Sequence, residues 1–406
     1  MDIVSMASGR AITLIAALGF VGLAATVALA QVPEARDTRQ RNYLERLGRL
    51  IEARFANRSV GYAVVAALPS GAFVTRAGGN ARHKPDPSPR PMSVDDKLTI
   101  ASVSKTMTAV AIFKLLARKN LSPDTPVWTY LPSTWTLGEG VKEVTFRQLM
   151  GHRAGLRCHG NLGYDTVKEC FSTSIVEADK GKVRYNNHDY GVFRIIMPLL
   201  EGMPEATLRG LEEQERNGNS EPIADALAER YAQLMNELVF QPAGLPTMYC
   251  KVTDAEPALA YRSENTKNPF DFSKLMPGEP WGDLCPRSGA QGWFFSARQL
   301  ATFIQALTHT QKILPPETVA LMKNQELGIF RNNNDGLISY HHIGLHPANA
   351  TRGEVSTLVI DFSNGVSAGV VVNSKFKGKN NIFKEIVGIV HDAGAVPRVA
   401  PIDIPH

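Results

Sequence analysis

A serine followed three residues later by a lysine occurs twice in this chain, as Ser102-Val103-Ser104-Lys105 and as Ser374-Lys375-Phe376-Lys377. A lysine amine within reach of a serine hydroxyl can take its proton if burial or neighbouring cations lower the amine's pKa toward neutrality. The first copy opens SVSKTMTAVAIFKLLARK (102–119). The middle of that stretch, Met107 to Phe113, is almost wholly apolar, so it reads as a helix lying inside the protein. Residues three apart share a helix face, which brings Lys105 to Ser102. The helix N-terminus also favours negative charge developing on the serine oxygen. The second copy leaves an apolar strand for the polar run KGKNN, where nothing would desolvate its lysine. A third pattern, Gly365-Val366-Ser367-Ala368-Gly369, matches the G-x-S-x-G nucleophile elbow, which needs a strand before its serine and a helix after. Here the serine follows an Asn364-Gly365 hairpin turn and runs on into VVVNS, so it reads as strand.

Two further polar clusters follow Ser102 in the chain: Tyr185-Asn186-Asn187, within VRYNNHDYGVF, and His342-Ile343-Gly344, within YHHIGLH. Ser102-x-x-Lys105, Tyr185-x-Asn187 and His342-x-Gly344, in that order, resemble the serine β-lactamase and penicillin-recognising family. There, S-x-x-K, Y-x-N and K-T-G or H-x-G line one cleft. The likeness extends to TIASVSKTMTAVAIFKLL, which is similar to the family's nucleophile helix. It also takes in VTFRQLMGHRAGL (144–156) and the Gly-rich turn and helix SGAQGWFFSARQLATFIQAL (288–307). It runs from about Gly61 to Asn373, most of the chain.

The resemblance implies an acyl-enzyme hydrolase without metal or cofactor. Ser102 is then the nucleophile, Lys105 the group that takes its proton or sets the field that lets another group do so, and Tyr185 the partner acid or base, as a phenolate if cations flank it. Asn187 holds the substrate's acyl amide or orients Lys105. The oxyanion hole is implied to be the backbone N–H of Ser102 and that of about Leu345, with Gly344 where substrate backbone comes close. His342 departs from the lysine that β-lactamases usually carry. A histidine is charged only part of the time near neutrality, so docking of a substrate carboxylate is weakened. The expected activity is therefore that of an esterase or D-Ala-type peptidase. A class C-like β-lactamase is the first alternative and a non-catalytic penicillin-binding-like protein the second. His152, in the 144–156 segment, reads as structural. His341 and His342 have no carboxylate at ligand spacing, which argues against a metal.

The elements that must position these residues are legible in outline. Arg39 to Ala56 reads as a helix, GYAVVAAL-PSG-AFVTRAGG (61–79) as a β-hairpin, and 80–97 as a Pro-rich loop. Ile223 to Phe240 reads as an amphipathic helix, the charged run Glu212 to Glu221 as an exposed loop, 355–374 as a second hairpin and Asn381 to Ala393 as a closing helix. The predicted class is α/β of the α+β type: an antiparallel sheet built from both termini and flanked by helices, with a mainly helical domain inserted. Residues 31–135 and 288–400 form the α/β part and 136–287 the insert.

Composition excludes more than it assigns. The chain has 406 residues, 44% hydrophobic and 20% charged, with a net charge of +5. That describes a chain with a proper core and excludes disordered, collagen-like and polytopic membrane proteins. Its one dense basic stretch, Arg82 to Arg90, is broken by three prolines and is no nucleic-acid site. Residues 11–30, ending Ala28-Leu29-Ala30, read as a secretory signal cut after Ala30, or else as an uncleaved anchor, the chain's one expected link to a membrane. A lipoprotein anchor is excluded because no cysteine precedes Cys158. The expected location is the periplasm or the exterior. In such a compartment Cys158, Cys170, Cys250 and Cys285 are disulfide candidates. Nearest-neighbour pairing is the first choice among three connectivities.

Overall fold

The computed structural model describes residues 38–397. The 11–30 segment lies outside them. Strands β1 (Gly61–Ala67), β2 (Phe73–Arg82) and β3 (Arg90–Pro91) come from the N-terminal third. Two short strands, β4 (Leu98–Thr99) and β5 (Phe294–Phe295), pair with each other. Strands β6 (Phe330–Asn334), β7 (Leu337–His346), β8 (Val355–Phe362) and β9 (Ser367–Val372) come from the C-terminal third. The main sheet is antiparallel in the order β3-β2-β1-β9-β8-β7-β6, so the two ends of the chain meet where β1 pairs with β9. The sheet from both termini is as expected.

Strands β1 and β9 are buried on both faces, which is why they read as continuous apolar runs rather than alternating ones. Tyr62, Val64 and Ala66 face α1 (Thr38–Phe55) and the C-terminal helix, packing with Leu47, Ile51, Phe55 and Ile386. Ala63 and Val65 face the other way, into a larger core. That core includes α2 (Ser104–Arg118) and continues through α3 (Phe146–Met150), α4 (Tyr164–Ser172), α5 (His188–Gly191) and α6 (Phe193–Glu201). Helices α7 (Glu205–Arg216), α8 (Glu221–Met235), α9 (Ala297–Thr308) and α10 (Pro316–Gln325) follow, and α11 (Ile382–Ala393) closes the chain. Gly369 lets β9 lie directly under α9, because a Cβ there would stand 2.5 Å from the Ala297 carbonyl oxygen.

The structure corrects the reading of Glu212 to Glu221 as an exposed loop. Its first half, Glu212 to Arg216, is the end of α7, and Glu212 and Glu215 are buried. Glu212 accepts hydrogen bonds from the Ser133 N–H (2.7 Å) and hydroxyl (2.8 Å), and Glu215 pairs with Lys168 at 2.6 Å. Charge density alone did not reveal that two carboxylates have dedicated donors, which is what permits a carboxylate to be buried. The Ile223–Phe240 helix is α8 plus a wider turn over Asn236–Phe240.

Both disulfides follow the nearest-neighbour pairing, Cys158–Cys170 and Cys250–Cys285. The second closes a long irregular segment held inside by single-residue bridges, Lys251 to Asp283, Ala260 to Glu279 and Ser263 to Leu275.

Candidate active site

Ser102 sits in a short 3₁₀ turn, Ala101–Val103, that leads into α2. Ala101 has φ +46°, a left-handed conformation that costs a non-glycine residue free energy and holds the next side chain in a fixed direction. The turn is pinned from two sides. The Ile100 N–H donates to the Trp293 carbonyl (2.8 Å), and the Ile100 carbonyl accepts from the Thr357 hydroxyl of β8 (2.8 Å). Gly344 of β7 completes the seat: a Cβ there would lie 2.1 Å from the Ile100 oxygen, so a larger residue would push the strand off the turn that carries Ser102.

One turn along α2, Lys105 is completely buried. Its Nζ lies 2.9 Å from Ser102 Oγ, 2.8 Å from Asn187 Oδ1 and 2.9 Å from the Ala290 carbonyl. Burial lowers its pKa to about 7. Asn187 Oδ1 and the Ala290 oxygen only accept, so they take two N–H groups of a neutral amine and leave its lone pair facing the serine hydroxyl.

Tyr185 donates to Ser102 Oγ from the other side at 2.7 Å. The residue is half open at 49% exposure, with its hydroxyl directed at Ser102. Burial there pushes the phenol up to about 12, against the pull of the Ser102 hydrogen bond, so it holds its proton at neutral pH. The Lys105 amine sits 5.0 Å from the Tyr185 ring centre and 5.9 Å from that of Tyr190.

His342 is buried on β7, and its Nδ1 donates to the neighbouring Ile343 carbonyl at 2.9 Å. Burial first, then the nearby Lys105, holds its pKa well below the ordinary value. It is therefore a neutral ring with Nε2 as an acceptor. Beyond His341, β7 pairs only with β8, because β6 ends opposite that residue. Residues 342–346 thus form an open sheet edge among the described residues, with the Leu345 side chain 51% exposed there.

The structure therefore brings Ser102, Lys105, Tyr185 and Asn187 into one hydrogen-bonded set and places Gly344 against the Ala101–Val103 turn. The two decoys lie elsewhere. Ser367 is buried in β9 with Gln305, and Ser374 accepts from the Val60 N–H at 2.9 Å. Sequence reasoning missed the Ala290 carbonyl, where only a Gly-rich turn was visible. It also missed the buried Arg194, which binds the Leu162 and Ser288 carbonyls and so braces that turn. Asp189 was missed as well. It is buried 2.9 Å from His152 Nδ1, just behind the tyrosine.

Residues 47–387 match the family described as Beta-lactamase. A Bacillus subtilis (strain 168) protein named penicillin-binding protein PbpX is 25% identical over 215 residues, 51% of this chain and 45% of that protein. The chain thus spans about half the length of the curated relative it matches. Among solved structures, D-amino acid amidase from Ochrobactrum anthropi SV3, complexed with L-phenylalanine amide, superposes with a TM-score of 0.65 at 16% identity, covering 87% of this chain and 98% of that one. The octameric penicillin-binding protein homologue from Pyrococcus abyssi gives 0.64 at 16% identity, covering 87% and 78%. These structural likenesses speak to the fold, and the family match spans most of the sequence. The chain belongs to the Beta-lactamase family, and it shares its fold with these solved structures.

Proposed function

We propose that the protein is an exported hydrolase that acylates Ser102 with an uncharged ester or amide substrate and then hydrolyses the acyl-enzyme. One observation carries this reading: the Lys105 amine, with two N–H groups donated to Asn187 Oδ1 and the Ala290 carbonyl, faces Ser102 Oγ at 2.9 Å. Lys105 takes the serine proton as Oγ bonds to the substrate carbonyl carbon. The Ser102 N–H and that of Leu345, on the open edge of β7, stabilise the resulting oxyanion. Tyr185, still protonated, supplies a proton to the leaving oxygen or nitrogen as its bond to carbon breaks. Water then attacks the acyl carbon and gives its proton to the Tyr185 phenolate; as the bond from that carbon to Ser102 Oγ breaks, Lys105 returns its proton to re-form the serine hydroxyl.

Neutral His342 favours esters and amides over substrates that carry a carboxylate at this place. Its Nε2 presents a lone pair, which accepts from a substrate N–H and repels an anion. The solved amidase that superposes on the chain is named for amides of amino acids, the same chemical class. The two disulfides support export to an oxidising compartment, and no described helix is long and apolar enough to cross a membrane.

The test is hydrolysis of a p-nitrophenyl ester and of D-amino acid amides by residues 31–406, beside Ser102→Ala. Turnover by wild type alone supports the proposal. Folded wild type inert on both substrates overturns it. Intact-mass spectrometry after benzylpenicillin separates the β-lactam reading, in which a Ser102 adduct forms and either persists or turns over.

A further inference from the structure

Behind the reacting groups lies a buried pair with no part in the steps above, and it rests on the same reading of Lys105 as the base. His152 has a left-handed backbone (φ +55°), and its carbonyl accepts from the Arg184 N–H at 2.7 Å, which fixes it beside Tyr185. The His152 and Tyr185 rings lie 4.5 Å apart, centre to centre. Two groups converge on His152 Nδ1: the Asn186 backbone N–H at 3.3 Å and Asp189 Oδ2 at 2.9 Å. A backbone N–H can only donate, so Nδ1 carries a lone pair rather than a hydrogen. The contact with Asp189 is then a hydrogen bond only if the carboxyl group supplies the proton. The other oxygen, Oδ1, is buried without a partner. That is tolerable for the carbonyl oxygen of a neutral acid and costly for an anion.

We propose that Asp189 is a carboxylic acid donating to His152, and that this neutral pair is a prop that positions Tyr185 while denying Lys105 a counter-ion. The charged and titratable groups around it allow this. Lys105 faces Asp189 from α2, His152 from the turn after α3, and Tyr185 and Tyr190 from its own stretch of chain. Burial raises the Asp189 pKa well above the ordinary carboxyl value, with Lys105 pulling the other way. Burial likewise lowers His152 to about 3, so neither partner is charged at neutral pH. An ionised Asp189 would do the opposite of what the site needs, holding a proton on Lys105 and removing the base. Asp189 and His152 are positioning residues here, since neither touches Ser102.

Asp189→Asn tests the charge directly, because the amide can still donate to Nδ1. A neutral group replacing a neutral group leaves the acid limb of kcat/KM for ester hydrolysis where it was. A downward shift of about one pH unit or more would show that an anion had been removed, and would overturn the proposal. The second readout needs no turnover: the infrared difference spectrum of wild type minus Asp189→Asn at pH 7 shows the C=O stretch of a protonated carboxyl. A carboxylate band in its place overturns the proposal. Asp189→Leu, which cannot donate, lowers kcat by about ten- to a hundredfold, with Asn restoring it. Wild-type rates from the leucine variant would remove the positioning role. If the wild type hydrolyses no ester or amide, the proposed function fails while the infrared band still decides the state of Asp189.

Discussion

The two Ser-x-x-Lys segments have the same spacing and opposite chemistry. At Ser102 the motif bends from a strained turn into a buried helix, and its lysine is stripped of water among fixed acceptors. At Ser374 the motif leaves β9 for an exposed loop. Ser374 has already committed its oxygen to the Val60 N–H, and Lys377 is in solvent. Spacing puts an amine near a hydroxyl in either case. What separates the proposed nucleophile from a tether is desolvation of the lysine and the occupants of its other hydrogen-bonding positions.

That contrast can be broken experimentally. Ser102→Ala is expected to abolish ester hydrolysis, by about 10⁵–10⁶ in kcat, measured with active-site-titrated protein. Ser374→Ala leaves kcat per folded molecule unchanged. It destabilises the fold by about 1–3 kcal/mol in denaturant, because a buried N–H loses its acceptor. Lys105→Met lowers kcat/KM by about 10²–10⁴.

The same Lys105→Met substitution removes a costly buried amine but leaves the Asn187 and Ala290 oxygens unpaired, two effects that oppose each other, so the readout is the pH dependence of wild-type stability. The sign of that dependence follows from the depressed pKa. Between about 7 and 10.5 the unfolded chain binds a proton that the folded chain does not, so wild-type stability rises with pH across that window. Lys105→Met lacks that slope, whereas substitution of Lys377 retains it.

Smaller effects sharpen the comparison. Wild-type kcat/KM falls about tenfold per pH unit below pH 7, as Lys105 takes up its proton. Tyr185→Phe keeps the ring and lowers kcat by about 10–10², read from the same ester assay. His342→Lys restores a cation at the open edge of β7. It is expected to raise the rate of Ser102 acylation by benzylpenicillin several-fold relative to the ester, as measured by mass spectrometry.

The sequence carried the architecture well wherever a residue's burial repeats along an element. The doubly buried β1 and β9, the apolar α2 and the two hairpins that join at the centre of the sheet were all visible as runs of residues. The S-x-x-K, Y-x-N and H-x-G triplets were visible because side-chain type and order survive in a string. What escaped depends on the backbone or on solitary partners. Nothing marks Ala101 as left-handed, since alanine is the ordinary resident of a helix. The Ala290 carbonyl belongs to the main chain and has no letter of its own. Asp189 looks like any acid two residues past Asn187 until its burial against His152 is known. The same blindness hid Glu212 and Glu215, whose donors lie some eighty positions earlier in the chain or, for Lys168, nearer to fifty.

The Cys250–Cys285 bond has a further consequence for how the molecule withstands proteolysis. The segment it closes has an exposed, mostly irregular tip around Asn265 to Lys274, the kind of place proteases enter first. A cut there leaves two polypeptides that stay joined by the sulfur bridge, with β1–β3 and the nucleophile helix on one piece and β5–β9 on the other. Such a clipped form keeps its sheet, because β1 and β9 still pair across the cut. It runs as one band on a gel until a reductant is added.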